Sequence, residues 1–297
     1  MPTSRYFYFC AVAFALAALV AVTGTAFASS HEDPVLDPSP QSAAAAAPEP
    51  EQEDEDRVMQ PAEPDFRLIN LPTTMRLPVH GSNFALTHRF EDNLTRGTFG
   101  QQANRLFGLD EGAVIGFEFR YGVMRHLEAA AYRNAFQRTI QLYGKYDAVH
   151  QDASHPFSIS ALVSIEGIDN FRSNYAPALG AVASRSLGEF AAFYAVPVWV
   201  HNSAAAAGGA VRNTFYVGLG GRLRFRRVLY LVGEYSPRAA GYVVGKPEYG
   251  FGIERRVGRH VFQLNFTNGT GTTFAQIARG GSPDTLYMGF NLSRKFF

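Results

Sequence analysis

The sequence predicts a closed antiparallel β-barrel that spans a membrane, all-β and of about twelve strands. Three observations predict it. Hydrophobicity alternates with period two over segments of about 9–12 residues, the length that crosses a bilayer at a tilt. The connections between segments alternate in length, as in outer-membrane barrels with short periplasmic turns and longer outer loops. And the chain opens on an export signal but has no later run of ~20 apolar residues that could form a helical span.

The 297 residues are 46% hydrophobic and 13% aromatic, with 18% charged, below the roughly 25% usual for a soluble domain. Arg5, the apolar run 7–22 and Ala26-Phe27-Ala28 supply the charged, apolar and cleavage regions of a signal peptide over residues 1–28. Cys10, the single cysteine, lies inside it, so disulfide and thiol chemistry are not expected. Residues 29–65 form an arm rich in Ala, Pro, Glu and Asp that has too little apolar surface to offset ordering entropy, and disorder is expected. The arm holds 11 of the 26 acidic residues, leaving 15 acidic against 25 basic over 66–297, a formal +10. An acidic arm beside a basic body is masked by the net charge of +1.

The barrel domain is placed at 66–297, with strands at 82–90, 113–123, 127–135, 138–149, 156–167, 177–187, 189–201, 213–225, 228–237, 247–256, 260–268 and 285–297. In "TIQLYGKYDA" (139–148), Ile140, Leu142 and Tyr146 share one face, and Gln141, Lys145 and Asp147 the other. "TFYVGLGGRLRF" (214–225) sets Phe215, Val217, Leu219, Leu223 and Phe225 against Tyr216, Arg222 and Arg224. Links are short after the second, sixth, eighth and tenth strands, and long after the first, seventh, ninth and eleventh. The link after the third is short where the alternation calls for a long one. An even strand count puts both termini on one side, read as periplasmic, in a bacterial outer membrane. A soluble sandwich would leave these apolar faces as aggregation hazards, and a closed barrel pairs every backbone group in lipid.

"FALTHRF" (84–90) and "NRLFGLDEGAVIGFEFRYGVMRHLEAAAYR" (104–133) resemble an uncharacterised family of bacterial outer-membrane barrels, domain of unknown function 5777. The pieces that carry the resemblance are "HRF", "FGLD" and "YG". It implies an exported barrel and brings no activity or site residues.

If the apolar faces meet lipid, the inward charges are Arg89, Glu118, Arg120, Lys145, Asp147, Glu166, Arg222, Arg224, Glu234 and Glu254. Such a set either fills a narrow interior with salt bridges or lines a wet channel with a transverse field. Arg125, Arg226, Arg227, Arg255, Arg256 and Arg259, with Arg294 and Lys295, fall at the expected periplasmic rim. The acidic stretch 49–56 lying against that ring would gate the mouth. The first long loop, 91–112, either folds inward as a constriction or runs outward as a lid.

Catalytic signals are weak, and the protein is not expected to be an enzyme. No metal-ligand spacing occurs among the eight histidines, and no cofactor is indicated. The nearest approaches to a Ser–His pair are His155 with Ser158 and His201 with Ser203. "GLGG" (218–221), inside a strand, leaves room for neighbours rather than cradling phosphate. The leading expectation is a passive channel for ions or small solutes. The first alternative is a non-conducting barrel with a plugged lumen whose arm binds a periplasmic partner. The second is a lipid-modifying hydrolase. Expected partners are outer-membrane lipid and, through the C-terminal strand, the assembly machinery, with no nucleic acid. In that strand Met288, Phe290, Leu292, Arg294 and Phe296 share the lipid side, unless a bulge brings Phe297 there instead.

Overall fold

The computed structural model describes residues 60–109, 111–204, 212–242 and 245–297. The expected signal peptide, 1–28, and residues 29–59 of the expected arm lie outside them.

Twelve long strands alternate with connections and close on themselves. They are β1 (Ser82–Phe90), β2 (Ala113–Met124), β3 (Leu127–Asn134), β4 (Ile140–Val149), β5 (Ser158–Gly167), β6 (Ser173–Leu187) and β7 (Ala191–Val200). β8 (Thr214–Arg226) and β9 (Leu229–Ser236) follow. After a three-residue β10 (Arg238–Ala240) beside β8 come β11 (Glu248–Val257), β12 (His260–Thr267) and β13 (Tyr287–Phe296). All pairs are antiparallel; the twelve long strands pair in chain order, with β9 meeting β11 across the short β10, and β1 pairs with β13 from Ser82↔Phe296 to Arg89↔Gly289. That last ladder closes the barrel and leaves no open edge. Every expected strand is present, most with ends within two residues of the sequence reading; β6 starts four residues earlier.

The alternation of faces follows the sequence. Phe117, Phe119, Val163, Leu179, Phe193, Leu219, Leu231, Phe251, Ile253, Phe262 and Leu264 point outward and are exposed as an apolar belt. In β13, Phe290 and Phe296 are exposed on that side, with Arg294 between them and its guanidinium 4.9 Å from the Phe296 ring. The ladders of β13 with β1 and β12 run without a register shift, so no bulge intervenes. Two short helices sit in the long connections: α1 (Phe99–Asn104) after β1 and α2 (Phe274–Arg279) before β13.

Inside, the barrel is full. Residues 60–81 run through the lumen before β1 begins, and Phe66, Leu68, Ile69, Leu71, Met75 and Leu77 are buried there. The segment folds as a tight hairpin: Leu68 N–H donates to Leu71 O, Thr73 N–H to Phe66 O, and Arg67 bridges Pro72. Leu68, Ile69 and Leu71 join Val182, Val196, Val198 and Val200 from the inner faces of β6 and β7, together with Phe274 and Ile277 of α2, while Phe66, Met75 and Leu77 form a second cluster against Phe297. This is the core of the molecule, enclosed by a wall that is charged elsewhere.

Candidate functional site

The short turns after β2, β6, β8 and β11, and the longer link after β4, share one mouth with both barrel ends, Ser82 and Phe296. The hairpin enters there. His80 N–H donates to Gly122 O and its Nδ1 lies 2.8 Å from Tyr121 Oη, at the start of the lumen. It also returns there. Pro61 O accepts from Tyr230 Oη, Glu63 from Tyr194 Oη, and Asp65 sits 3.4 Å from Lys295 Nζ, all near the short-turn ends of their strands.

Between those ends the wall grips the hairpin mainly through its backbone. The Glu234 carboxylate accepts N–H bonds from Ile69, Asn70 and Leu71 at 2.9–3.1 Å. Gln263 donates to Leu68 O, Asn291 to Ile69 O and Arg222 to Arg67 O at 2.8–2.9 Å. Lys145 Nζ donates to Met75 O at 2.6 Å and to Thr73 O at 3.2 Å. Side-chain contacts add register: Arg67 pairs with Glu118, and Asn70 bridges Glu248 and Arg89.

Two inward glycines make the fit. A Cβ on Gly218 would lie 2.6 Å from Leu71 Cδ2, and one on Gly220 would overlap Leu68. The "GLGG" stretch leaves room for the hairpin's leucines.

The opposite mouth is filled by the link between β12 and β13. Its α2 carries a capping box, Thr273 with Gln276. It is buried from Phe274 to Ala278. Gln276 Oε1 accepts from Asn134, Ala275 N–H donates to Glu166, and Arg279 Nε donates to Ser203 O. Arg67 Nη1 reaches Thr272 O at 3.4 Å, so the two fillers touch. A cavity of about 10 Å³ between them is bounded by Arg67, Arg120, Thr272 and Phe274, barely the space of one water.

All ten residues expected to face the lumen stand at inward positions. Nine are buried: Arg89, Glu118, Arg120, Lys145, Asp147, Glu166, Arg222, Glu234 and Glu254. Arg224 lies at the mouth instead, paired with Glu189 at 3.0 Å. Arg222 and Glu254 form a two-bond pair. Glu118, Arg120, Glu128, Lys145 and Asp147 form one chain of ion pairs extended by Arg67. Sequence reasoning missed Glu128 and Glu248, which are buried wall residues, and all of the hairpin's contributors.

Of the basic rim residues, Arg125, Arg226, Arg227, Arg255 and Arg259 are exposed at the short-turn end and Arg256 is half-buried. Lys295 departs from that ring: it points inward, is buried, and meets Asp65. The acidic stretch 49–56 is outside the described residues. Residues 60–65, grouped with the disordered arm on composition, are instead seated in the mouth, because Glu63 and Asp65 find Tyr194 and Lys295 there.

Of the two expected courses of the 91–112 loop, its described residues do not take the inward one. Asn93 ties it to the backbone of Asp284 and Leu286, and α1 with Phe107 lies over the outer wall at Phe266 and Met288, enclosing a groove of about 550 Å³. The candidate Ser–His pairs take other partners. His155 Nδ1 meets Asp152, whose carboxylate is held low by N–H bonds from His155 and Ser154, while Ser158 Oγ accepts from Gln151. His201 pairs with Asn213, and Ser203 Oγ with Thr214.

A family model described as "Membrane bound beta barrel domain (DUF5777)" matches residues 64–296, beginning with the hairpin and ending with β13. The chain belongs to this family. It is a membrane-bound barrel, and the family's span includes the hairpin that fills it. No curated protein matches the chain. Among solved structures, the chain resembles the KdgM porin in complex with disordered oligogalacturonate at 7% identity. That likeness covers 73% of this chain and 99% of that one, with a TM-score of 0.46. The NanC porin gives 8%, 73%, 99% and 0.46, and an outer membrane channel from Pseudomonas putida F1 gives 12%, 74%, 97% and 0.46. These are resemblances in shape, and the sugars and solutes of those proteins remain theirs.

Proposed function

We propose that the protein is an outer-membrane conduit for small solutes that rests closed, and that it opens when residues 60–77 withdraw through the short-turn mouth. The observation that carries this reading is the hairpin path: both ends of the filler lie at one mouth, so it can leave without threading. Its bonds to Glu234, Lys145, Gln263 and Asn291 are of a kind that water can take over in an emptied lumen. A wall built only to be filled would be at least as stable with apolar residues in place of buried ion pairs. The short-turn mouth is taken as periplasmic, which puts the acidic arm, joined to the hairpin at residue 60, where a periplasmic partner could draw on it.

A second reading, the non-conducting barrel, is favoured by α2, which fills the other mouth and has its own bonds to the wall at Asn134 and Glu166. Planar-bilayer recording of the full chain separates the two. The wild type is expected to be silent. The double substitution Leu68→Asp, Leu71→Asp, which sets two carboxylates into the apolar side of the lumen, is expected to conduct. Silence of a folded double variant whose hairpin has become protease-sensitive would favour the second reading.

A further inference from the structure

We infer that the lumen wall is a binding site for peptide hairpins with apolar side chains at the turn, of which the segment that turns at 68–71 is the resident occupant. This rests on the conduit reading only for how the site becomes free.

The wall's contacts select an amide backbone. Glu234 takes three successive N–H groups, while Gln263, Asn291, Arg222 and Lys145 supply donors to the carbonyls of residues 67, 68, 69, 73 and 75. Donors and acceptors are thus matched to consecutive peptide units, and these bonds carry no side-chain information. Beside them are recesses for branched apolar side chains. Gly218 and Gly220 admit Leu71 and Leu68, Gly250 admits Ile69, and the inner faces of β6 and β7 present Val182, Val196 and Val198.

Other cargo chemistries match one half of this wall each. An acyl chain offers no N–H group to the buried Glu234 carboxylate and no row of carbonyls to Gln263, Asn291, Lys145 and Arg222. A glycan offers hydroxyls but no branched apolar group for the glycine recesses. A peptide answers both halves. Because recognition is through the backbone, foreign sequences that keep the apolar spacing 68, 69, 71 should fit.

The test uses the full chain, folded and reconstituted with a protease site introduced at the exposed His80. Cutting there leaves the hairpin seated but non-covalent, with wall and filler unaltered. Three fluorescent peptides are then added: the native 60–79 sequence, one with every polar residue exchanged but the apolar positions kept, and one with Ser at positions 68, 69 and 71. The first two are expected to displace the native fragment with affinities within ~10-fold of each other, and the third to be weaker by ~100-fold or more, from the lost apolar burial. Capture of the native sequence alone, or of none of the three, overturns the inference. Conductance is recorded in parallel. Fragment release without conductance strikes the conduit reading and leaves the peptide site standing, and conductance without capture of the second peptide does the reverse.

Discussion

Replacing Glu234 with Ala removes the acceptor of three adjacent hairpin N–H groups, those of Ile69, Asn70 and Leu71, at 2.9–3.1 Å. Hydrogen bonds to a charged group contribute about 1.5–3 kcal/mol each, and a buried donor left unpaired costs ~1–3 kcal/mol. Three such bonds set an upper range of ~4–9 kcal/mol. Water entering the vacated carboxylate space recovers part of it, and Asn70 keeps its side-chain contacts to Glu248 and Arg89. A net loss of ~2–4 kcal/mol is expected, at 1.4 kcal/mol per tenfold a rise of ~30- to 1000-fold in the unseated population. Amide hydrogen exchange, followed by mass spectrometry on the reconstituted barrel, reads this directly. Residues 66–77 should exchange faster by that factor in Glu234→Ala, and by less in Glu234→Gln, which keeps an acceptor. The strand β9 that carries residue 234 should stay protected. Exchange of 66–77 that is equal in wild type and Glu234→Ala would refute the reasoning, because the carboxylate would then not be holding the tip.

Gly220→Val should expel the hairpin by collision with Leu68 while the barrel stays closed; chymotryptic cleavage within 66–77 of a barrel that still runs as a folded band on an unheated gel is the expected result. Glu254→Ala leaves Arg222 buried without its two-bond partner, and should lower barrel stability by about 3–5 kcal/mol, seen as a drop in the temperature at which the folded band is lost. Removing the Phe297 ring with Phe297→Ala takes away the packing against Phe66, Met75 and Leu77, so hairpin exchange should rise by ~10-fold with little change in the β1–β13 closure.

Strand ends, faces and nearly all inner charges were legible because lipid outside and charge inside enforce a period of two. β3 was the weak point: alanines at 129, 130 and 131 blur its two faces, which hid Glu128. The hairpin was not read because Pro72 and Pro78 break any strand pattern and twelve strands already close a barrel without it. A signal for it existed in "AAFYAVPVWV" (191–200), which is apolar on both faces. A strand between lipid and a water-filled lumen has no use for a second apolar face; one between lipid and a packed core does. The inner Ala192, Val196, Val198 and Val200 are the positions that pack in the core with the hairpin and α2. The link before β13 carried a capping signal, Thr273 to Gln276 followed by Ile277 and Ala278, that marks a helix start and not the side on which the helix lies. The 91–112 loop, which carries six charged residues, went outside, where Phe99 and Phe107 meet the outer wall.

The central claim is that residues 60–81 sit inside the barrel with Leu71 against Gly218. Cysteines at those two positions, in the otherwise wild-type chain and in intact membranes, test it most directly through a short bifunctional thiol reagent. The expected result is an intramolecular cross-link in most molecules, localised by mass spectrometry to 71 and 218, with no cross-link from a control cysteine at the outward Leu219. Cross-linking at 219 but not at 218, or none at either in a folded barrel, would contradict the account.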